Sequence, residues 1–259
     1  MPLVTPGVWE AKPGWERYRG LLWYERNIDL PAGSLRLVFA GVSHSARVYL
    51  DGELLGEHDD AYTPFAVETR LSTAGSHRLT LRIDNRFGQH ASLHVENDYY
   101  TYGGITRPAE WQALSDAFLV RSKIIPRSVS GRWTLDLEAV VRSTRDVEQV
   151  LTLTLEAFGQ NLELKADLRL KPNEQRSVHA TIDVPEGADE WSAEAPNLHT
   201  ATLSLIGENQ RPIDDLVERI GLRTVRVEGD RLLLNEQPIS LRGFNRHEEH
   251  PQFGCALPV

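Results

Sequence analysis

Apolar and polar residues alternate with a period of two along most of this chain. In the stretch WTLDLEAVV, one side would carry five apolar residues: Trp133, Leu135, Leu137, Ala139 and Val141. The stretches LTLTLEAF, LELKADLRL and VHATIDV repeat the alternation, which is typical of half-buried β-strands. Gly and Pro residues separate these runs, and no comparable stretch has the period of an amphipathic helix. The pattern predicts an all-β protein.

The predicted strands form two groups. Residues 1–129 contain long runs with irregular segments between them, which favours a large sandwich with functional loops. Within this group, Asp51 and Gly52 predict a tight hairpin turn in which both residues have positive φ. Residues 130–222 contain shorter, evenly spaced runs, as in an immunoglobulin-like sandwich of about 100 residues.

The pattern changes after Leu222. The stretch TVRVEGDRLLLNEQPISLRGFNRHEEH predicts a hairpin followed by one more extended segment. If residues 241–247 are extended, Asn245 and His247 lie on one face and Arg246 lies on the other. His, Arg, Glu and Asn residues are densest here, so we expect these polar groups to serve a site.

Composition narrows the class of protein. The chain has 259 residues, of which 41% are hydrophobic, and no apolar run approaches the roughly 20 residues of a membrane-spanning helix. A net charge of −9 argues against nucleic-acid binding, which relies on basic patches. The N-terminus resembles no signal peptide, and the single cysteine, Cys255, cannot form an internal disulfide. We therefore expect a cytoplasmic protein with neither a membrane nor a nucleic acid as partner.

Three pairs of adjacent carboxylates invite a catalytic interpretation: Asp59-Asp60, Asp214-Asp215 and Glu248-Glu249. Neighbouring residues of an extended segment point to opposite faces, so no pair is expected to flank one glycosidic bond. The stretch HEEH has two histidines three residues apart before Pro251, whereas zinc proteases place them four apart on a helix. A nucleophile elbow and a phosphate-binding loop are also missing.

An aromatic and polar cluster offers a better candidate. The stretch ENDYYTYGGITRPAEW brings together Asp98, Tyr99, Tyr100, Tyr102, Arg107 and Trp111. Aromatic faces pack against sugar rings while carboxylates accept hydroxyl protons, so the cluster favours carbohydrate binding. The alternative is that these aromatic residues pack in the sandwich. That core role is the one expected for the other tryptophans, Trp9, Trp15, Trp23, Trp133 and Trp191.

Five segments together resemble family 2 glycoside hydrolases, with β-glucuronidases most similar and β-galactosidases next. They occur in the order seen in that family: LWYERNIDLP, LVFAGVSHSARVYLDGELLGEHDDAYTPF, NDYYTYGGITRP, WSAEAPNLHTATLSL and RIGLRTVRVEGDRLLLNEQPISLRGFNRHEEHPQFG. The resemblance implies a jelly-roll sugar-binding (galactose-binding-like) sandwich over 1–129 and an immunoglobulin-like sandwich over 130–222. It also implies that residues 223–259 are the opening hairpin and first strand of a (β/α)₈ barrel.

The same resemblance implies a function and a site. It predicts a retaining exo-β-glycosidase whose acid/base and nucleophile glutamates lie on later barrel strands, so that this chain is a truncated and inactive part of the enzyme. His247 matches a histidine that contacts substrate hydroxyls. Asp98 matches an acid in a loop through which the jelly-roll sandwich contributes to the substrate pocket. Asn245 and Arg246 are candidates because they flank that histidine.

The expected partner is a terminal β-glycoside, with a homo-oligomer possible and with no cofactor or metal. Two alternatives stay open. The chain could be a stand-alone carbohydrate-binding module with an immunoglobulin-like spacer. It could also be scaffolding that packs against a barrel, in which case the segment after Leu222 would be poorly ordered or paired with another chain.

Overall fold

A computed structural model describes residues 2–88, 95 and 100–257. The regular elements of these residues are β-strands, apart from one short 3₁₀ helix at Trp9–Ala11, so the predicted all-β class is confirmed. No helix in the described part of the chain has the length and apolar character needed to cross a bilayer. The chain forms two compact units, Met1–Leu114 with Phe244–Val259, and Ser115–Gly243.

The first unit contains ten described strands. They are β1 (Gly7–Val8), β2 (Leu21–Leu30), β3 (Gly33–Phe39), β4 (Val42–Ser43), β5 (Ser45–Leu50), β6 (Glu53–His58), β7 (Phe65–Leu71), β8 (Gly75–Asp84), β9 (Gly104–Ile105) and β10 (Ala109–Ala113). One sheet has the order β2-β8-β5-β6 and a second has the order β10-β3-β7. A short third sheet has the order β1-β9-β4.

Alternation along the strands builds the core of this unit. On β3, Leu35, Leu37 and Phe39 are buried while the residues between them are partly exposed. The Asp51-Gly52 turn between β5 and β6 has φ values of 52° and 90°, as predicted, because a tight hairpin of this type needs positive φ at both positions. The core is completed by the indole of Trp9, which has no exposed surface.

The second unit also contains ten described strands. They are β11 (Ala117–Val129), β12 (Arg132–Ser143), β13 (Gln149–Ala157), β14 (Gln160–Leu170), β15 (Gln175–Asp183), β16 (His199–Ile206), β17 (Pro212–Ile220), β18 (Val225–Glu228), β19 (Arg231–Leu234) and β20 (Gln237–Ile239). Two sheets, β11-β12-β15 and β14-β13-β16-β17, enclose one apolar core. The inward side of β12 carries Leu135, Leu137, Ala139 and Val141, as its alternation predicted.

The division between the units differs from the sequence interpretation, which extended the first sandwich to residue 129. Strand β11 pairs with β12 along its whole length and therefore belongs to the second unit. The alternation of AFLVRSKIIP predicted a strand correctly, but a period of two does not specify which sheet the strand joins.

The segment after Leu222 also differs in part from its prediction. Strands β18, β19 and β20 form the predicted hairpin with one added short strand, within the second unit. Residues 241–249 form no strand and are exposed. An isolated segment has no ladder of backbone hydrogen bonds to hold it extended, so the predicted alternation of faces does not apply there.

Two of the tryptophans that were predicted to lie in the core differ in their burial. Trp9 is fully buried, whereas 57% of Trp23 is exposed, so its expected core role is wrong. Trp23 lies on β2 opposite Arg82 of β8, on the side of the sheet away from the core. Alternation assigns a residue to a face, but a sheet face can be apolar without being covered.

Asn235→Ala is expected to destabilise the hairpin of the second unit by about 1–2 kcal/mol. Asn235 has a φ of 47°, its Oδ1 accepts from the Thr224 backbone N–H at 2.9 Å, and its Nδ2 donates to the Trp191 carbonyl at 3.0 Å. Urea unfolding would measure the loss. Asn235→Asp keeps the acceptor and removes the donor, so an intermediate loss is expected; equal stability of Asn235→Ala and the parent would contradict this role.

Candidate functional site

The first unit contains a cleft of about 440 Å³ between the loop after residue 99 and the segment around residue 250. The cleft thus brings together residues of two stretches that the sequence had singled out separately, Tyr100 and Tyr102 on one side and Glu249 and His250 on the other. Its lining is rich in carboxylates and phenol rings: Glu10, Ala11, Glu16, Tyr100, Tyr102, Glu249, His250, Pro251 and Gly254.

One wall of the cleft is a compact turn. The backbone N–H groups of His250 and Gly254 each donate to the other residue's carbonyl, at 3.0 and 2.8 Å, and the His250 and Phe253 rings lie 4.9 Å apart. Gly254 is buried with a φ of 56°, and a Cβ there would lie 2.7 Å from Val8 and 2.8 Å from Tyr102. A glycine is therefore required for the turn to approach the sandwich so closely.

A hydrogen bond joins the two walls of the cleft. The Tyr102 hydroxyl donates to Glu249 Oε2 at 3.2 Å. Burial, and secondly the charge of Glu249, raise the pKa of Tyr102 to about 12, so its phenol stays protonated and able to donate at neutral pH. The contact holds one exposed carboxylate beside the aromatic loop.

Glu10 holds this loop through hydrogen bonds to its backbone. Its two carboxylate oxygens accept from the Gly103 backbone N–H at 3.0 Å, and Oε1 also accepts from Asn85 Nδ2 at 2.9 Å. Burial raises the pKa of Glu10 to about 7, although the hydrogen bond from Gly103 and the charge of Arg19, 3.6 Å away, act in the opposite direction. Glu10 is thus a buried acid that titrates near neutrality.

Arg19 contacts the same loop and the ring of Phe87. Its guanidinium donates to the Thr101 carbonyl and lies over the rings of Tyr100 and Phe87, 4.8 and 5.4 Å from their centroids. The Tyr100 hydroxyl donates in turn to the Glu16 carbonyl. These contacts orient Tyr100 through its ring face and through its hydroxyl group.

Buried neutral His44 lies in the same unit. It has no exposed surface, and among the described residues neither ring nitrogen has a hydrogen-bond partner. Burial, and secondly the charge of Arg19, lower the pKa of His44 to about 4, so its imidazole is uncharged at neutral pH.

The predicted site residues have different outcomes. Asp98 lies outside the described residues, so its expected role stays a prediction. Asn245, Arg246 and His247 are exposed, and Arg246 Nε lies 3.2 Å from Glu248 Oε1. Their roles toward substrate also stay predictions. The residues that the structure does bring together are Tyr102 and Glu249.

Two of the carboxylate pairs that were not expected to be catalytic have structural contacts. Asp60 Oδ1 accepts from the backbone N–H groups of Tyr62 and Thr63, at 2.7 and 3.2 Å, within a turn. Asp214 Oδ2 accepts from the Leu119 backbone N–H at 2.6 Å. No group of three potential metal ligands occurs among residues 2–88, 95 and 100–257.

Sequence reasoning missed Glu10, Arg19 and Asn85. They are isolated in sequence and belong to no recognisable motif. The hydrogen-bond partners of Asn85 and Glu10 lie 65 to 93 residues away from them in the sequence. The available signal was a single acidic residue directly after a tryptophan in VWEAK, which is too weak to distinguish a buried acid from a surface one.

The cleft can bind polyhydroxylated ligands. Tyr100 and Tyr102, whose ring centroids lie 4.8 Å apart, offer aromatic surface, and Glu249 offers an acceptor for hydroxyl protons. This combination matches the chemistry expected of a carbohydrate site.

Comparison with known proteins agrees with these features. The model for "Glycosyl hydrolases family 2" matches residues 117–223. A β-galactosidase of Thermoanaerobacter pseudethanolicus is 26% identical over 94% of this chain and 34% of its own length. The chain spans about a third of the length of the curated relatives it matches.

Solved structures that match the whole length of this chain include the following two. A β-galacturonidase of Eisenbergiella tayi bound to galacturonate has a TM-score of 0.93 and 36% identity, with 46% of its chain covered. A β-glucuronidase of Bacteroides uniformis has a TM-score of 0.90 and 25% identity, with 33% of its chain covered. These matches confirm the resemblance to the hydrolase family that the five sequence segments indicated.

Proposed function

We propose that this chain, a portion of a family 2 glycoside hydrolase, serves a retaining exo-β-glycosidase that removes terminal β-linked uronic acids. The observation that carries the proposal is the 36% identity to a β-galacturonidase over the whole chain, at a TM-score of 0.93. The match to a β-glucuronidase supports the same class of substrate, and a terminal galactoside is the alternative supported by the curated relatives.

The proposed reaction uses two carboxyl groups. One protonates the leaving oxygen while the other attacks the anomeric carbon, and water then releases the sugar from the covalent intermediate with net retention. In this proposal both groups belong to the barrel of the longer protein, and the chain of 259 residues provides neither. The chain alone is therefore expected not to hydrolyse glycosides.

The proposed contribution of this chain is to complete the sugar pocket. Asp98 precedes Tyr100 and Tyr102 by two and four positions in the sequence, and these tyrosines are held by Arg19 and Glu249, respectively. Arg246 and His247 precede Glu249 by three and two positions, so the same hydrogen bond keeps them near the loop. A guanidinium group such as that of Arg246 suits the carboxylate of a uronic acid.

Hydrolysis of three 4-nitrophenyl glycosides tests the proposal. The longer protein that contains this chain is expected to cleave the β-galacturonide or the β-glucuronide faster than the β-galactoside, with release of the β-anomer first. The isolated chain should release no nitrophenol. Turnover that copurifies with the isolated chain, or a longer protein that cleaves only the galactoside, would overturn it.

His247→Ala and Asp98→Asn are each expected to lower kcat/KM of the longer protein by about 10- to 100-fold. A hydrogen bond that involves a charged group contributes about 1.5–3 kcal/mol, which converts to that range when it acts in the transition state. His179→Ala is the matched control, because His179 is an exposed histidine on β15 of the second unit. A loss in the control as large as in His247→Ala would remove the support for a role of His247.

A further inference from the structure

The buried carboxylate of Glu10 belongs to a cluster that the proposed reaction does not use. Its side chain is only 2% exposed, although Glu10 is one of the residues that line the cleft. Trp9 and Glu10 together bind both backbone groups of Gly103. The Trp9 N–H donates to the Gly103 carbonyl at 3.1 Å, and the Gly103 N–H donates to both Glu10 oxygens at 3.0 Å. These two residues thus fix one end of residues 100–103, which we call the aromatic loop.

The cluster extends to two further residues. Asn85, which has no exposed surface and directly follows β8, donates from Nδ2 to Glu10 Oε1 at 2.9 Å. The Arg19 guanidinium lies 3.6 Å from the same oxygen. Arg19 also donates to the Thr101 carbonyl and lies over the ring of Tyr100. Glu10 is therefore connected to the aromatic loop twice, directly through its own hydrogen bonds and indirectly through Arg19.

The partners of the Glu10 carboxylate suit its ionised form. Within the part of the chain that the structure describes, each of its hydrogen-bond and ion-pair partners is a donor: the Gly103 N–H, Asn85 Nδ2 and the Arg19 guanidinium. An ionised carboxylate accepts at both oxygens, whereas a carboxylic acid carries a hydrogen on one of them. That hydrogen would face a donor and displace it. Protonation of Glu10 therefore weakens the contacts that hold the aromatic loop.

Protonation of Glu10 takes place near neutral pH. Burial raises its pKa to about 7, against the opposing effects of the hydrogen bond from Gly103 and the charge of Arg19. Burial also raises the pKa values of the three phenols around it, so they stay uncharged in this range. The charged and titratable groups that face Glu10 or share the cleft with it are Arg19, Tyr24, Tyr100, Cys255, Glu16, Tyr102, Glu249 and His250.

We propose that Glu10 is a positioning residue of the sugar cleft, whose negative charge holds the aromatic loop in the conformation that binds sugar. The loop contributes Tyr100 and Tyr102 to the cleft, and Tyr102 in turn donates to Glu249. Displacement of Gly103 moves the tyrosine next to it, so ring stacking and hydroxyl contacts weaken together. Glu10 acts through the loop and needs no contact with the sugar. The effect on hydrolysis rests on the proposed function, whereas the hold on Gly103 does not.

The amide proton of Gly103 reports on this contact directly. Tyr102-Gly103 is the only Tyr-Gly pair in the sequence, so the 259-residue chain labelled with ¹³C at tyrosine carbonyls and ¹⁵N in glycine gives one signal in an HNCO spectrum. The pH is varied from about 5 to 8, below the ordinary pKa of a thiol. We expect this proton to move to higher frequency as Glu10 ionises, with a midpoint near pH 7, because a hydrogen bond to a carboxylate is stronger.

Three variants separate Glu10 from its neighbours. Glu10→Gln should abolish the movement of the Gly103 signal. Arg19→Gln should shift the midpoint to higher pH, because the charge of Arg19 favours the ionised form of Glu10. His250→Asn removes the imidazole that lines the cleft and should leave the midpoint unchanged. Circular dichroism at each pH checks that the variants are folded, and the parent and Arg19→Gln give midpoints even if Glu10→Gln does not fold.

Hydrolysis by the longer protein tests the effect on the sugar, with whichever of the three nitrophenyl glycosides is cleaved fastest. At about pH 8, Glu10→Gln is expected to raise KM about tenfold and to change kcat less than about twofold. The reason is that a loop that only holds the sugar contributes equally to the ground state and the transition state. The KM of the parent should rise as the pH falls through 7, and Glu10→Gln should lack this rise.

Three results would overturn the proposal. One is a Gly103 amide proton whose frequency does not change with pH. Another is a titration that survives in Glu10→Gln or disappears in His250→Asn. The third is a KM of Glu10→Gln equal to that of the parent at every pH. Failure of the proposed function is a separate result, because a longer protein that cleaves only the galactoside still gives a KM for each variant.

Discussion

Gly103→Ala is expected to lower the free energy of unfolding of the first unit by about 3 kcal/mol. A Cβ at this position would lie 2.1 Å from Cζ2 and 2.5 Å from Cε2 of Trp9. The indole is fully buried, and rings of Tyr18 and Tyr24 lie about it at centroid distances of 6.3 and 6.5 Å. A rigid ring enclosed in this way has no alternative position, so the loop itself must move.

Displacement of the loop would also change the cleft. The Gly103 backbone N–H donates to Glu10, and its carbonyl accepts from the Trp9 backbone N–H at 3.1 Å. Chemical denaturation followed by tryptophan fluorescence would measure the loss. Gly75→Ala is the matched control, because a Cβ there meets no atom within 4 Å. Equal stability of the two variants would show that the contact between Gly103 and Trp9 does not constrain the fold.

Glu10 and His44 are expected to make opposed contributions of about 3 kcal/mol each to the pH dependence of the free energy of unfolding. Glu10 has a pKa of about 7 in the folded unit and its ordinary value of 4.5 when unfolded. Between these values the folded state binds the extra proton, so stability falls as pH rises from 4.5 to 7. His44 has a pKa of about 4 when folded and 6.5 when unfolded. Here the unfolded state binds the extra proton, so stability rises between pH 4 and 6.5.

Because the two windows overlap, the parent protein is expected to show little change from pH 4.5 to 6.5. Glu10→Gln removes the falling contribution, so its stability should rise with pH across this range. His44→Phe removes the rising contribution, so its stability should fall. Urea unfolding at a series of pH values would measure each slope. If either variant has the same slope as the parent, the corresponding residue does not titrate with the shifted pKa described here.

Much of the fold follows from local patterns. The alternation on β3 and β12 predicts both the strands and the residues that are buried, because a half-covered sheet imposes a period of two. The Asp51-Gly52 turn follows from the backbone angles that its residues tolerate. The assignment of β11 to the second unit could not be predicted, since partner choice depends on residues far away in sequence.

The candidate site was predictable only in part. Tyr100 and Tyr102 belong to an aromatic stretch that indicates a ligand platform, and Glu249 belongs to a dense polar stretch. The hydrogen bond between Tyr102 and Glu249 spans 147 residues, so no local pattern predicts it. Glu10 has a raised pKa because burial outweighs its hydrogen bonds, and burial of one acidic residue follows from the packing of the whole unit.

The turn that contains Gly254 has a consequence for biosynthesis. The first unit is discontinuous, because Phe244–Val259 belongs to it and all of Ser115–Gly243 is made in between. On the ribosome, the surface of Val8 and Tyr102 that Gly254 covers stays open while the second unit is translated. The residues of the second unit are contiguous, so this unit is complete before residues 244–259 are made. It can therefore finish folding before the first unit, although most of the first unit is made earlier.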